Sequence, residues 1–435
     1  TDGIRGPVAS VITPLACISI GTAAGAIFKS RGITTAVIGR DTRASCDPLE
    51  LALCSGLISS GVDVLLLGVI PTPAVAYHTR QVEGRFGIMI SASHNNYLDN
   101  GIKFFSSSGG KISNEIEREI ESVIELDRYS INLQTVGSIS HHENSRREYI
   151  DYCISVTSIN DRKLNGLKIV LDCANGACYS VAPSIFSILG ADVIVSAAGP
   201  DGVNINEKCG STDLRSLRKL VPEHQADVGI AFDGDGDRVM MIDSTGSVVD
   251  GDDILYIISH TIHSSNTGIV GTTMTNTGLE HDLVSRGFEF IRTDVGDKYV
   301  NEQLESRGWH LGGETSGHII CKDVSTTGDG IIAALKVVSF LHESKIDIKN
   351  ILKGYNKTSQ ILHSVPVSDK SVITSQVFKQ KIIDIERDLK VGRVLVRASG
   401  TENVVRILVE HPDEDVAKLN VKVLVDFFEN LPGEA

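Results

Sequence analysis

The chain has 435 residues, of which 41% are apolar and 22% charged, and a formal net charge of -14; at the usual ~150 residues per domain this predicts about three domains, enough chain for several independent cores. The acidic balance and the lack of a Lys/Arg-rich stripe argue against nucleic acid as a partner, and no apolar run reaches the ~18 residues a membrane span needs. An anionic small substrate would then need positive charge gathered inside a cleft.

Read in chain order, one pattern occurs three times: an apolar strand, a small polar turn, a helix, a glycine and a second strand. The first strands are expected at 36–41, 168–172 and 268–271, their partners at 61–68, 190–195 and 287–291. A further strand follows each pair and runs into an unusual polar loop, at 91–95, 233–237 and 312–318. Loops at the carboxyl ends of strands are where α/β sheets bind ligands.

The first loop reads Ser91-Ala-Ser93-His94-Asn95. A serine hydrolase is disfavoured, because the G-x-S-x-G elbow is absent and adjacent residues direct their side chains apart. A serine that exchanges a phosphoryl group instead needs a metal and cations around the phosphoryl oxygens. Taken singly, Ser93 reads as a turn serine, His94 as a satisfied structural histidine and Lys103 as a surface lysine beside a strand.

The second loop is Asp233-Gly-Asp235-Gly-Asp237-Arg238, between apolar segments at 226–232 and 239–242. Carboxylates this close repel unless a cation gathers them, and oxygen-only ligands suit Mg²⁺, Mn²⁺ or Ca²⁺ rather than zinc. An EF-hand fails, since its loop positions six and twelve fall on Arg238 and Ser244 instead of glycine and glutamate. A solvated acidic hairpin turn remains the plain alternative. The third loop, Gly312-Gly-Glu314-Thr315-Ser316-Gly317-His318, adds a carboxylate, two hydroxyls and an imidazole.

The last quarter changes character. Helical spacing at 373–389 and 416–428 brackets strand-like runs at 392–397 and 404–409, a small α+β domain. Between those strands lies Arg397-Ala-Ser399-Gly400-Thr401-Glu402-Asn403, with Arg406 just beyond. Arginine forks and a glycine-opened backbone make a phosphate cradle; a plain Ser-Gly hairpin turn is the alternative. Walker-type and G-x-G-x-x-G motifs are absent, which disfavours nucleotides. Eight scattered cysteines without C-x-x-C spacing read as buried, reduced thiols of a cytoplasmic protein. No targeting segment is evident, and the start at Thr1 rather than methionine suggests an upstream piece.

Together, residues 1–6, 91–103, 233–238, 312–318 and 397–402 resemble, in order, the motifs of the α-D-phosphohexomutases. Segments 99–105, 312–320 and 326–331 resemble the amino-sugar branch of that family. The resemblance implies an α/β fold of three similar α/β domains around a central active-site cleft plus a smaller C-terminal α+β domain. Its boundaries would be 1–150 for the phosphoserine domain, 151–245 for the metal-binding domain, 246–360 for the sugar-recognition domain and 361–435 for the phosphate-binding domain. It implies interconversion of glucosamine 6-phosphate and glucosamine 1-phosphate through a phosphoserine and a sugar bisphosphate, feeding UDP-N-acetylglucosamine and cell-wall synthesis.

By the same resemblance Ser93 would carry the phosphoryl group, and Asp233, Asp235 and Asp237 would hold one Mg²⁺ together with that phosphate. Arg5, Lys103, Arg238 and His318 would line the reacting centre, with Lys103 first and His318 second for the sugar hydroxyl's proton. Glu314 and Ser316 would bind sugar hydroxyls, with Lys298 a further cleft residue. Arg397, Ser399, Gly400, Thr401 and Arg406 would take the distal phosphate, and the C-terminal domain would hinge while the bisphosphate turns over. The expected partner is a phosphorylated hexosamine, and the expected state a monomer or homodimer. Asn96 and Asn403 stand where the family usually has proline and should loosen their loops; Thr315 replaces a usual glutamine and bears on sugar choice. The competing readings are a phosphomannomutase or phosphoglucomutase, a metal-dependent phosphatase, and a metal-binding regulatory protein without turnover.

Overall fold

The computed structural model describes residues 3–125, 135–157, 164–262, 267–399 and 403–429. Two compact units are present: Thr1–Met274 with Phe288–Leu352, and Thr275–Gly287 with Lys353–Ala435.

The larger unit holds three sheets. The first contains β1 (Ile4–Pro7), β2 (Thr35–Arg40), β3 (Asp63–Val69), β4 (Arg85–Ile90), β5 (Asp99–Phe105) and β6 (Ile139–His141), ordered β1-β5-β4-β2-β3-β6. The interior residues of β2 and β4 are buried on both faces, which suits their runs of alanine, valine, isoleucine and methionine to a covered parallel sheet. Helices α1 (Pro14–Ser30), α2 (Cys46–Ser59) and α4 (Asn114–Glu125) pack in one group, and α3 (Thr72–Arg80) packs on β2 and β4. Thr13 caps α1 by accepting from the Ala16 amide at 3.2 Å, with Pro14 in the first turn. Phe28 of α1 stacks on Phe86 of β4 at 3.9 Å, within a core that includes Leu53, Leu57 and Ile88. Helix α5 (Ser145–Ser155) leads to the second sheet.

That sheet comprises β7 (Lys168–Asp172), β8 (Asp192–Ser196), β9 (Val228–Phe232), β10 (Val239–Asp243) and β11 (Val248–Val249), ordered β11-β10-β9-β7-β8, with α6 (Val181–Ile188) and α7 (Leu217–Glu223) beside it. Helix α8 (Gly251–Ser259) opens on a capping box from Asp250 and Asp253. The third sheet has β12 (Gly268–Thr272), β13 (Glu289–Thr293), β14 (Leu311–Gly313) and β15 (Ile319–Cys321), ordered β13-β12-β14-β15.

The internal repeat is real. Strands β2, β7 and β12 each lie between two parallel partners, and the later partner folds back as an antiparallel hairpin, β4–β5, β9–β10 or β14–β15. The three polar loops are the three hairpin connections. In the third repeat the segment between β12 and β13 carries α9 (Thr277–Ser285) and belongs to the smaller compact unit. Helices α10 (Asp297–Arg307), α11 (Gly330–Ser344) and α12 (Ile348–Leu352) complete the larger unit.

The smaller unit builds an antiparallel sheet from β16 (Ser359–Pro366), β17 (Arg393–Ala398) and β18 (Val404–His411), with β18 central, and adds α13 (Gln376–Leu389) and α14 (Glu414–Glu429). Phe378, Val405, Ile407, Leu424 and Phe428 form its core. Buried Glu410 ties α9 to this sheet: it accepts from the Thr277 amide at 2.6 Å and from Arg393 Nε at 2.7 Å. Strand β16 has no counterpart among the sequence expectations; it is an edge strand with half of its residues exposed, and its polar interruptions hide the alternation. All eight cysteines are free and buried. Among the described residues no helix is long and apolar enough to cross a membrane.

Candidate active site

Ser93 adopts φ +52°, a left-handed conformation that few residues other than glycine tolerate. Its surroundings hold it there. Its amide donates to Ser91 Oγ at 2.8 Å, and Ser91 Oγ donates to Asp41 Oδ2 at 2.6 Å. Its carbonyl accepts from Arg43 Nη2 at 3.0 Å and Asn206 Nδ2 at 2.9 Å. Arg43, 1% exposed, also donates to the carbonyls of Asn95, Asn96 and Asp99 and pairs with Asp41 at 2.8 Å. One guanidinium therefore fixes most of the serine loop. Ser93 Oγ, buried, donates to Asp233 Oδ2 at 2.6 Å.

The aspartate loop approaches so closely that a Cβ on Gly234 would lie 2.5 Å from the Ser93 carbonyl oxygen. Its own carbonyls are pinned from three directions: Thr72 N donates to Asp235, Ala177 N to Gly234 and Gly330 N to Gly236, at 2.8, 2.8 and 3.0 Å. Carboxylate oxygens of Asp233, Asp235 and Asp237 lie within 4.8 Å of one another, all three side chains being buried. Lys103 is no surface lysine; from β5 its Nζ donates to Asp235 Oδ2 at 2.7 Å and Asp237 Oδ2 at 3.1 Å. Thr72 Oγ1 adds a 2.5 Å bond to Asp235 Oδ2.

Burial, together with repulsion from Asp237 and Asp235, pushes the Asp233 carboxyl well above the usual range. Burial also acts on Asp237, but Lys103, His318 and Arg238 overcome it and hold that group well below. Asp235 Oδ1 and Asp237 Oδ1 are buried and accept no hydrogen bond from the described residues. A group of oxygen donors with unsatisfied lone pairs fits a hard divalent cation, so the solvated-hairpin reading fails.

His318 lies with Nδ1 3.8 Å from Asp237 Oδ1 and Nε2 3.4 Å from Asp297 Oδ2. Burial disfavours its charge, yet Asp297 and Asp237 raise its pKa above the ordinary value. Asp297, opposed by burial but held by His318 and its ion pair with Lys111, falls to about 2. His94 Nδ1 lies 3.4 Å from Ser93 Oγ, and burial with the charges of Arg238 and Arg5 lowers it to about 4. The amide of Arg238 donates to Asp233 Oδ1 at 3.2 Å, and Arg5 sits on β1 opposite Gly101 of β5.

In the third loop Glu314 is buried and accepts from the Gly296 amide at 2.9 Å, whereas Ser316 is exposed. Thr315 Oγ1 donates to Asp252 Oδ2 at 3.1 Å. Lys298 donates to Asn114 Oδ1. Asn96 Oδ1 accepts from the Leu98 amide at 2.9 Å, an Asx turn. In the smaller unit Arg397 of β17 stands directly opposite Arg406 of β18, and Lys370 Nζ donates to the Ser399 carbonyl at 2.7 Å. Gly400 and Thr401 lie outside the described residues.

Sequence reasoning missed Asp41, Arg43, Thr72, Asn206, Lys111 and Asp297. Asp41-Thr42-Arg43 at the end of the first predicted strand was the visible signal; the others act across long sequence separations, where spacing carries nothing.

Four models of the phosphoglucomutase/phosphomannomutase family match in order: α/β/α domain I over residues 1–129, domain II over 147–246, domain III over 250–358 and the C-terminal domain over 362–425. The chain belongs to this family of phosphohexomutases, four-domain α/β enzymes. Among its relatives are proteins named phosphoglucosamine mutase from Hydrogenovibrio crunogenus, 47% identical over 98% of this chain and 96% of the relative, and from Azotobacter vinelandii, 45% identical over 97% and 96%. A phosphoglucomutase/phosphomannomutase family protein from Burkholderia thailandensis shares the fold, with a TM-score of 0.82 at 23% identity over 98% of this chain and 96% of its own.

Proposed function

We propose that the chain interconverts glucosamine 6-phosphate and glucosamine 1-phosphate, with Ser93 as the carrier of the transferred phosphoryl group. The observation that carries this reading is the 2.6 Å contact between Ser93 Oγ and Asp233, in a buried site lined by Lys103, Arg238 and His318. The full-length relatives named phosphoglucosamine mutase support the amino sugar.

Asp233, Asp235 and Asp237 would hold one Mg²⁺, which when bound neutralises charge on the phosphoryl oxygens. Phosphoserine gives its phosphoryl group to the sugar's free hydroxyl, forming a bisphosphate; the O–P bond to Ser93 breaks as the O–P bond to the sugar forms. The proton lost by the sugar hydroxyl is balanced by one gained at Ser93 Oγ, whose O–H then donates to Asp233. Lys103, held by Asp235 and Asp237, is the first group to relay that proton, and His318 the second. Arg5 and Arg238 steady the group in flight. After the bisphosphate turns over, its other phosphate returns to Ser93. Glu314 and Ser316, with Lys298 nearby, would bind the sugar. Arg397, Ser399, Gly400, Thr401 and Arg406 would take the phosphate that is not reacting, whichever carbon bears it.

The protein would work in the cytoplasm as a monomer or homodimer. Turnover on glucosamine, glucose and mannose 6-phosphates with a sugar bisphosphate activator tests the assignment. The highest kcat/KM should fall on glucosamine 6-phosphate; a higher value for either neutral sugar would overturn the substrate while leaving the roles of Ser93 and the aspartates in place.

A further inference from the structure

Away from the aspartate loop, His78 on α3, His142 just after β6 and Glu148 on α5 bring their ligand atoms within 4.8 Å of one another. His142 Nε2 lies 2.9 Å, and His78 Nδ1 3.7 Å, from the same oxygen, Glu148 Oε2. His78 is the informative member. Its Nε2 lies 2.9 Å from the Ser145 carbonyl oxygen, which can only accept, so the ring proton sits on Nε2 and donates there. In the neutral ring Nδ1 then presents a lone pair toward that carboxylate oxygen, and 3.7 Å is too long for a hydrogen bond between them. Three ligand atoms converging from α3, α5 and the segment after β6, one on a buried ring and two on partly exposed side chains, leave a place for a cation between them.

We infer that His78, His142 and Glu148 form a second metal site, for Zn²⁺, which fastens the chain leading out of the first sheet onto α3. Two imidazoles and one carboxylate are borderline donors that favour zinc over the magnesium class. Around tetrahedral zinc, with bonds of about 2.0–2.2 Å, ligand atoms stand about 3.3–3.6 Å apart. The 2.9 and 3.7 Å separations bracket that spacing, so small rotations of half-exposed His142 and Glu148 complete the site. The bond from His78 Nε2 to a backbone carbonyl is the outer support that orients a zinc-binding histidine. Water takes the fourth position from the exposed side. Helix α3 begins with Thr72, whose hydroxyl binds Asp235, so the zinc would brace the far end of the helix that steadies the aspartate loop.

The test uses full-length protein without a polyhistidine tag, stripped with EDTA and dialysed into excess Mg²⁺ to occupy the aspartate loop. Titration with Co²⁺ should give one equivalent of the strong visible absorption of tetrahedral cobalt, displaced by Zn²⁺, and Zn²⁺ should raise the melting temperature. His142→Ala and Glu148→Gln, both at half-exposed positions, should each weaken Zn²⁺ at least about tenfold and abolish the melting shift, with mutase turnover in Mg²⁺ unchanged. No tetrahedral cobalt spectrum in the wild type, or equal Zn²⁺ affinity in wild type and both variants, would overturn the site.

Discussion

Ser93 Oγ and Asp233 Oδ2 lie 2.6 Å apart although 140 positions separate the residues in sequence. The contact joins the connections of two different sheets and puts the Ser93 hydroxyl against the aspartate loop, where the proposed phosphoryl transfer would take place. Ser93→Ala should abolish mutase turnover while leaving the circular dichroism spectrum and melting temperature close to wild type, since the lost bond is one hydroxyl against a carboxylate. Full activity in that variant would remove Ser93 from the mechanism.

Asp235 is bonded by Lys103 and Thr72 through Oδ2, and its buried Oδ1, which accepts no hydrogen bond from the described residues, would be left for the proposed metal. Asp235→Asn should lower kcat by about 10²–10³-fold, the scale of losing one electrostatic stabiliser, with a much smaller change in KM. EDTA treatment should have the same effect and Mg²⁺ should reverse it for wild type alone. Undiminished turnover in metal-free buffer would leave the three aspartates as structural groups.

Arg43 donates to four carbonyls of the serine loop and pairs with buried Asp41. Arg43→Met would leave Asp41 buried without its cation, a cost of about 3–5 kcal/mol, and would release Ser93 from its left-handed conformation. Denaturant unfolding should show the loss of stability, and kcat should fall although the residue does not touch substrate. A variant as stable and active as wild type would show that the loop holds itself.

Arg397→Ala should raise KM about 30-fold or more, the equivalent of about 2 kcal/mol at the low end for removing a charged partner. It should also let bisphosphate escape before the second transfer, so added glucosamine bisphosphate should restore part of the rate. Unchanged KM with no intermediate released would assign Arg397 to the sheet alone.

Asp329 caps α11 through the Ile332 amide at 3.0 Å, accepts from Tyr149 Oη at 2.7 Å, and is raised by burial to about 6. A carboxyl whose folded pKa exceeds its unfolded value is more readily protonated in the native state, so its stabilising contribution is complete below about pH 4 and fades as pH rises through 6. A rise to about 6 corresponds to about 3 kcal/mol. Asp329→Asn keeps the shape without the charge. Its urea midpoint should gain on wild type between pH 4 and 6 and hold a constant lead above that; a constant difference across the whole range would mean that burial does not perturb Asp329.

Compact local strings were legible in the sequence as local structure: the segments holding Ser93 and Asp233 to Asp237 are connections between strands, and strands carry Arg397 and Arg406 in the smaller unit. Their spacing reports local chemistry directly. The tripled strand order was legible too, because β2, β7 and β12 carry near-continuous apolar runs. What stayed hidden depends on distant partners. Taken singly Lys103 reads as a surface lysine, and only the family resemblance drew it into the reacting centre; β5 pairs with β4 and turns it onto Asp235 and Asp237. Arg43 gains its meaning from carbonyls more than 50 residues away, and Asp297 from His318 and Lys111. Strand β16 escaped notice because an exposed edge imposes little hydrophobic pattern.

Isotope transfer from the serine tests the central claim most directly. Protein carrying ³²P at Ser93, with the position established by phosphopeptide mass spectrometry, is mixed with unlabelled glucosamine 6-phosphate and Mg²⁺ in a single turnover. The account predicts that label leaves Ser93 and appears first in the bisphosphate and then in glucosamine 1- and 6-phosphates, with little free phosphate. Label that stays on the protein, or leaves only as inorganic phosphate, would contradict it.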